Sequence, residues 1–346
     1  MPNVDARKLR EWSAAILRHA GVTDDIAACV ADHLVESNLV GVDSHGVVRV
    51  SFYVDYLRDG RIAKEDRMEV LLDVGAIAWL DGHQTFGPRT ASRASAMAVQ
   101  KARTHGIGMV VAKNSAHIGR LGAYVEAVAA EGFIGFLCCN SQGAGQLVVP
   151  YGGKEPRLAT NPLAWGIPTG TYPLVIDMST SAAAEGKIKV KFRRKEPLPP
   201  GWAINADGRS ITDPAEFYGV PPGSILPAAG YKGYGLSLVV DSLAGVLSGA
   251  GYARPLDYVH TPLNGFVFIA IDVQAVRPLE QFRREVDSQL DYVRSSAPIA
   301  EGTQVMAPND PEVRERQRRL RDGVPIDDET WETLSRLARE AGVASQ

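Results

Sequence analysis

Gly41-Val42-Asp43-Ser44-His45-Gly46-Val47-Val48-Arg49-Val50-Ser51-Phe52-Tyr53 is the stretch on which the fold turns. It places a histidine, an arginine and a tyrosine at i, i+4 and i+8. In a helix, these three would lie one turn apart on a shared face. Asp43 or Ser44 suits an N-cap, so a helix is predicted from there to residue 57, with Gly60 stopping it. His45 then lies at the helix start, near the positive end of the dipole. A proton donor one turn from a guanidinium fork can handle a small carboxylate. The arginine holds the carboxylate and the histidine serves the neighbouring hydroxyl or carbonyl. The same pattern also describes an ordinary helix start whose polar face carries a histidine and an arginine.

Toward the amino end, Leu9, Trp12, Ile16 and Leu17 recur at helical spacing until Gly21. Thr23 is then expected to cap a helix carrying Ile26, Ala27, Val30, Leu34 and Val35. Toward the carboxyl end the pattern changes. Residues 68–74 and 77–80 read as a strand pair around Gly75, followed by a helix rich in alanine and serine over about 88–105. Strands are predicted over 106–112 and 133–139, with a short helix over 122–131 between them. Leu163–Ile167 and Leu174–Met178 are short β-like runs. Helices are predicted over 182–191, 235–247, 278–295, 310–321 and 328–341, and a buried strand over 266–272. This is a mixed α/β chain without the regular alternation of a doubly wound sheet. No Gly-x-Gly-x-x-Gly lies between a strand and a helix, so a nucleotide would be held without the Rossmann fingerprint.

A chain of 346 residues suffices for two or three compact domains. Apolar residues make up 45% and charged residues 22%, as in an ordinary soluble enzyme. With 37 basic and 40 acidic side chains the formal net charge is −3, which gives no electrostatic footing for nucleic acid or an anionic membrane. No apolar run has the length of a membrane span, and none follows the amino terminus as a signal sequence would. Cys29, Cys138 and Cys139 form no Cys-x-x-Cys pattern. That argues against a disulfide framework or a zinc site and favours the cytoplasm.

Four further segments carry polar residues where strands meet helices. Asn114-Ser115-Ala116-His117-Ile118-Gly119-Arg120-Leu121-Gly122-Ala123-Tyr124 follows one predicted strand and precedes a helix, a junction whose backbone N–H groups can face an anion. His117 is a second acid/base candidate or a nicotinamide contact; it also fits a plain polar turn. Thr160 stands at the entrance of an Asn161-Pro162 turn. Asp177 ends an apolar strand before Met178-Ser179-Thr180-Ser181, where a carboxylate can hold ribose hydroxyls and the hydroxyls can hold phosphate or cap the next helix. Lys232, between Gly230 and Gly233 at a helix entrance, suits a phosphate or is a solvated turn lysine.

Asp-Ser-His-Gly-Val-x-Arg, Ser-x-His-x-Gly-x-x-Gly-x-Tyr, Thr-Asn-Pro, Asp-Met-Ser-Thr-Ser and Lys-Gly-Tyr-Gly-Leu occur here in that order. In this the chain resembles the type-2 malate/L-lactate dehydrogenase family, which includes ureidoglycolate, sulfolactate and hydroxycarboxylate dehydrogenases. The resemblance runs from about residue 5 to about 335. It implies a non-Rossmann NAD(P)-binding fold, α+β-like, with a largely antiparallel sheet and a helical domain formed from both chain ends. The implied division is 1–65 with 305–346 for the helical domain, 66–120 for a small α/β domain, and 121–304 for the cofactor domain. A homodimer, NAD or NADP as cofactor, and a small 2-hydroxy or 2-oxo acid as substrate are implied with it.

By the same resemblance His45 is the proton carrier, Ser44 its partner, Arg49 the carboxylate clamp, and Tyr53 and Thr160 substrate contacts. His117, Ile118, Gly119, Arg120 and Leu121 match a cofactor loop, with His117 also catalytic in some members. Ser141, Asp177, Met178, Ser179, Thr180, Ser181, Lys232, Gly233 and Asn264 match cofactor contacts. Two departures stand out. Glu185-Gly186 is followed by Lys187, where cyclic-imine reductases of the family carry an acidic residue, which favours hydroxy-acid chemistry. Met306-Ala307-Pro308-Asn309-Asp310 replaces the Pro-Gly-Glu often found before the last helices, leaving cofactor contacts there unassigned. Cyclic-imine or diketo-acid reduction is the alternative activity. A silent NAD(P)H-sensing dimer is an alternative of another class that would not need His45 and Arg49.

Overall fold

Among the residues that the computed structural model describes, 1–142, 145–254 and 263–343, seven strands pair into one sheet. They are β1 (Glu69–Val74), β2 (Ile77–Asp81), β3 (Ile107–Ala116), β4 (Phe133–Gln142), β5 (Leu163–Ile167), β6 (Leu174–Met178) and β7 (Leu263–Asp272). Their spatial order is β1-β2-β3-β7-β4-β5-β6. The helices are α1 (Ala6–His19), α2 (Asp24–Leu39), α3 (Arg49–Arg58), α4 (Gly87–His105), α5 (Gly122–Ala130), α6 (Glu185–Arg194), α7 (Tyr231–Val240), α8 (Leu279–Arg294), α9 (Asp310–Asp322) and α10 (Asp328–Glu340). Within the sheet β2 and β3 pair in parallel, and α4 supplies the crossover such a pair needs. The other pairs are antiparallel, as expected for a sheet without Rossmann winding.

The central strand β7 is apolar on both sides because both faces are covered. Phe266, Phe268 and Ala270 pack with Ala91, Ala94 and Val125, while Val267 packs with Val240 and Ala244 on the other side. The sheet crosses the boundary expected at residue 120, since β1 to β3 share it with β4 to β6. A second core joins Leu9, Trp12, Leu34, Val50 and Tyr53 to Val324, Leu334 and Leu337, so the helical layer draws on both chain ends. Trp12 stacks on Trp331 at 5.2 Å, and Asn3–Val4 pairs with Val324–Pro325. No helix of the described residues is long and apolar enough to cross a membrane.

Several predicted elements are redrawn. The helix expected from Ser44 onward is two pieces: Asp43–His45 form one 3-10 turn, Gly46 is extended, and α3 begins at Arg49. Asn38 makes the break. Its Oδ1 accepts the Val47 N–H at 2.8 Å, its Nδ2 donates to Asp43 at 2.6 Å, and a Cβ on Gly46 would lie 2.2 Å from it. Asp43 therefore caps no long helix; its carboxylate receives the Arg319 guanidinium from α9. His45, Arg49 and Tyr53 are not rungs of one helix, and no long helix dipole starts beneath His45.

β3 extends to Ala116 rather than to residue 112, because its polar end finds partners: Asn114 donates to the buried Asp81 carboxylate at 3.0 and 3.1 Å. Thr23 occupies the N-cap position of α2, but its hydroxyl donates to Asp25 and caps no backbone N–H. α6 starts at Glu185, since the Ala182 N–H is taken by Leu226 O and Ser181 Oγ donates to Ala183 O. α7 starts at Tyr231, ahead of the predicted 235, and continues as a π-helix over Asp241–Leu247. Lys232 thus lies in its first turn.

Candidate active site

Register, more than local sequence, assembles this site. Leu263 pairs with Ala116, Asn264 with Ser141, Leu163 with Cys138 and Met178 with Leu163. The carboxyl ends of β3, β4 and β6 and the amino ends of β5 and β7 therefore lie at one end of the sheet. That end carries His117, Ser141, Thr160, Asp177 to Ser181, and Asn264. α7 joins them through the Ala228 N–H donating to Thr180 O, and through Gly233, whose Cβ would sit 2.4 Å from the carbonyls of Thr180 and Ala228.

The helical layer brings Ser44, His45, Arg49 and Tyr53 against His117. Ser44 Oγ lies 3.0 Å from His45 Nδ1. The His45 and His117 rings stack at 5.6 Å between centroids, and the Tyr53 hydroxyl lies 3.0 Å from His117 Nδ1. Tyr53 is only 1% exposed, so in this chain it partners His117 and does not line open space. Arg49 Nε donates to the Ser44 carbonyl at 2.7 Å, and its guanidinium lies over the Phe52 ring at 5.7 Å. Among the described residues no carboxylate pairs with Arg49. A guanidinium without a counter-ion beside two imidazoles has the chemistry to hold a small anion. Burial, then the Arg49 charge, keeps both imidazoles neutral: His45 is pushed down to about 3 and His117 well below its ordinary value.

The loop from His117 to Leu121 is clamped from three sides. Ile118 N–H donates to Asn264 Oδ1 at 2.9 Å, the Tyr124 hydroxyl donates to Ile118 O at 2.5 Å, and Arg120 N–H donates to His33 Nε2 at 3.0 Å. Gly119 has a φ of +75°, and a Cβ there would lie 2.1 Å from His33 Nε2. Ile118 and Leu121 are buried in the sheet core.

His33, Asn38 and Arg319 brace this site and were missed by sequence reasoning. His33 sits among apolar positions of α2 with no motif around it, and only its contact across the fold reveals it. Tyr124 was at least visible as the last residue of the Ser-x-His-x-Gly-x-x-Gly-x-Tyr motif.

His33 is 7% exposed and stacks on Tyr124 at 5.1 Å. Burial, then the Arg120 charge, lowers its pKa from 6.5 to about 3. The unfolded chain takes up this proton below 6.5 and the folded chain does not, so stability falls as pH drops through that window, by about 1.4 kcal/mol per pH unit at most. His33→Gln retains an acceptor for Arg120 without titrating. Its urea midpoint should fall less steeply than wild type between about pH 6.5 and 5, by about one proton's worth. Equal slopes in the two proteins would refute the assignment.

The residues matched to cofactor contacts divide into walls and free groups. Thr180 Oγ1 donates to Thr160 O and Asn161 O, Ser179 Oγ to Ser181 O, and Asn264 Nδ2 to Asn140 O at 2.8 Å. Thr180, Ser181, Gly233 and Asn264 therefore shape the site from behind. Asp177, itself exposed, accepts the Gly122 N–H at 2.7 Å at the start of α5. Arg120 pairs with Glu126 at 3.0 Å but leaves its buried Nε without a partner among the described residues. Met178 and Lys232 are exposed, and no ion pair holds Lys232 among the described residues. The Met306 to Asp310 departure is a structural clamp: Asp310 binds Arg294 and Tyr172, and Asn309 Nδ2 donates to Pro173 O.

Comparison with known proteins shows the family. Residues 4–335 match the family model described as malate/L-lactate dehydrogenase. A malate dehydrogenase of Pyrococcus horikoshii is 35% identical, with 97% of this chain and 94% of that protein aligned. A solved malate dehydrogenase structure from Pyrococcus horikoshii superposes with a TM-score of 0.90 at 33% identity, covering 100% of this chain and 97% of that one. Hydroxycarboxylate dehydrogenase B of Escherichia coli is 32% identical over 99% of this chain and 95% of its own length. A solved Δ1-piperideine-2-carboxylate reductase from Pseudomonas syringae has a TM-score of 0.86 at 28% identity, covering 97% of this chain and 100% of that one. The chain belongs to the malate/L-lactate dehydrogenase family.

Proposed function

We propose that the protein interconverts a 2-hydroxy acid and its 2-oxo acid with a nicotinamide cofactor, using His45 as proton carrier and Arg49 as carboxylate clamp. The observation that carries this reading is the Arg49 guanidinium, without a counter-ion among the described residues, beside the stacked His45 and His117 rings. The cofactor supplies the hydride acceptor or donor. In oxidation, neutral His45 takes the hydroxyl proton at Nε2 while Nδ1–H donates to Ser44 Oγ. Arg49 presents two N–H groups to the carboxylate and fixes the carbon that loses hydride. Residues at this end of the sheet would hold the dinucleotide. Lys232 offers positive charge for its phosphates, and Asp177 at a strand end suits a ribose hydroxyl. That carboxylate favours NAD over NADP.

A homodimer is part of this reading. Leu236, Leu238 and Val239 of α7 and Val246 and Leu247 of the π-turn are exposed, an apolar surface that a second copy would cover. A cytoplasmic location rests on the three free cysteines.

A panel of 2-oxo acids bearing methyl, carboxylate, sulfonate and aryl groups, followed by loss of reduced-nicotinamide absorbance with each cofactor, tests the proposal. At least one 2-oxo acid should be reduced, faster with NADH than NADPH, and more efficiently than a cyclic imine carboxylate. The relative from Pseudomonas syringae makes that imine the necessary control. Turnover of the imine alone would overturn the reading.

A further inference from the structure

The Tyr53 phenol is buried, edge-on to Phe86 at 5.5 Å, within the apolar core of the helical layer. Its one hydrogen-bond partner among the described residues is His117 Nδ1, at 3.0 Å. Two arrangements satisfy that distance. Either the phenol donates to the Nδ1 lone pair, or Nδ1–H donates to the phenol oxygen. In the second, the phenolic proton of a side chain only 1% exposed has no acceptor among the described residues, the arrangement that buried polar groups avoid. In the first, every buried group is satisfied.

We propose that Tyr53 is a positioning residue that holds His117 as the Nε2–H tautomer, so that His117 meets the reactants as a neutral hydrogen-bond donor and leaves proton exchange to His45. This rests on the reading that His45 and His117 both face the reacting carbon. The donor role follows from valence: a neutral imidazole whose Nδ1 accepts must carry its proton on Nε2. Burial and the nearby Arg49 charge oppose protonation of the ring, so His117 stays a donor without becoming an imidazolium. Its Nε2 has no partner among the described residues and is not among their sealed, unsatisfied atoms. It is therefore open to an incoming oxygen.

His45 contrasts with it. The Ser44 hydroxyl is only half-buried, so water can take or supply its proton and the Ser44–His45 bond can run in either direction. A proton carrier needs Nδ1–H to donate so that Nε2 is free to take a proton, and this bond allows it; a fixed donor needs the opposite. Two stacked imidazoles thus acquire different duties from the burial of the hydroxyl behind each.

Long-range proton–nitrogen correlation spectra of the full chain labelled with nitrogen-15 histidine test this, with His117→Gln assigning the signal. Wild type should show His117 with unprotonated Nδ1 and protonated Nε2. Tyr53→Phe retains the ring packing on Phe86, so the fold should persist. It should show a mixed or reversed His117 tautomer, with kcat for 2-oxo acid reduction lowered about tenfold and KM little changed, as for one lost hydrogen bond. His117→Gln, which keeps an N–H donor, should retain at least about tenfold more kcat than His117→Leu. A protonated Nδ1 in wild type, or a Tyr53→Phe protein with wild-type tautomer and kcat, overturns the proposal. The wild-type spectrum decides the tautomer even if a variant fails to fold. If the tautomer is as stated but His117→Leu turns over normally, the tautomer lock stands and the placement of His117 at the reactants fails.

Discussion

His45→Ala is expected to fold and to bind reduced nicotinamide cofactor, yet to reduce 2-oxo acids about 100- to 10,000-fold more slowly, the range for a positioned general acid or base. The fold should survive because His45 closes a single 3-10 turn held by Asn38 and Arg319, and its ring contributes a stacking contact with His117 but no core. The pH dependence is the sharper readout. Burial and Arg49 hold the His45 pKa near 3 in the free protein. The imidazolium required for reduction is then a minor species at neutral pH. log kcat/KM for reduction should fall by about one unit per pH unit through the neutral range, because kcat/KM reports the free enzyme.

Oxidation needs the neutral base, already present well below neutrality, so its profile should be flat there. When the substrate carboxylate docks on Arg49 it offsets one cause of the low pKa, so kcat for reduction should hold to higher pH than kcat/KM. The slope should vanish from the residual activity of His45→Ala. If His117→Ala removes it while His45→Ala keeps it with near-normal turnover, the two roles are exchanged.

Arg49→Lys should lose about 2–3 kcal/mol of transition-state stabilisation in kcat/KM for 2-oxo acids while leaving cofactor affinity unchanged. Lysine retains the charge but has no planar fork to hold a carboxylate with two N–H groups. The structure adds a second reason. Arg49 Nε donates to the Ser44 carbonyl, so the side chain that grips the substrate also braces the residue beside His45. Lysine cannot do both at once, and the loss should appear in kcat as well as in KM. Steady-state kinetics across several 2-oxo acids, with fluorescence titration of the reduced cofactor, checks this. Wild-type efficiency with every acid would remove Arg49 from the clamp.

How far the site was legible depends on the kind of signal each residue carries. The strands Leu163–Ile167 and Leu174–Met178 agree with their predicted bounds, and the Gly75 turn and the long helix ending at His105 also emerge, because alternation, glycine and helical spacing are local. The ordered motifs around His45, His117, Thr160, Asp177 and Lys232 pointed to one family. Their spatial grouping was invisible along the chain, since Ser141 meets Asn264 through strand register alone. Helical spacing placed Arg49 and Tyr53 near His45 for the wrong reason. Asn38 interrupts that helix, and the contact across the fold to His117 restores the grouping.

The sequence by itself thus determined the element types, the absence of a Rossmann winding, and the residue kinds available for hydroxy-acid chemistry. These follow from periodicity, turn chemistry and motif order, which need only neighbours in the chain. Tertiary structure alone decided that β1 to β3 share a sheet with β4 to β6, that His33 and Tyr124 clamp the 117–121 loop, and that Arg319 from the far end of the chain holds the turn bearing His45. It also decided the state of the histidines. An imidazole pKa and tautomer depend on burial, nearby cations and the partner of each ring nitrogen, and those are supplied by residues distant in sequence.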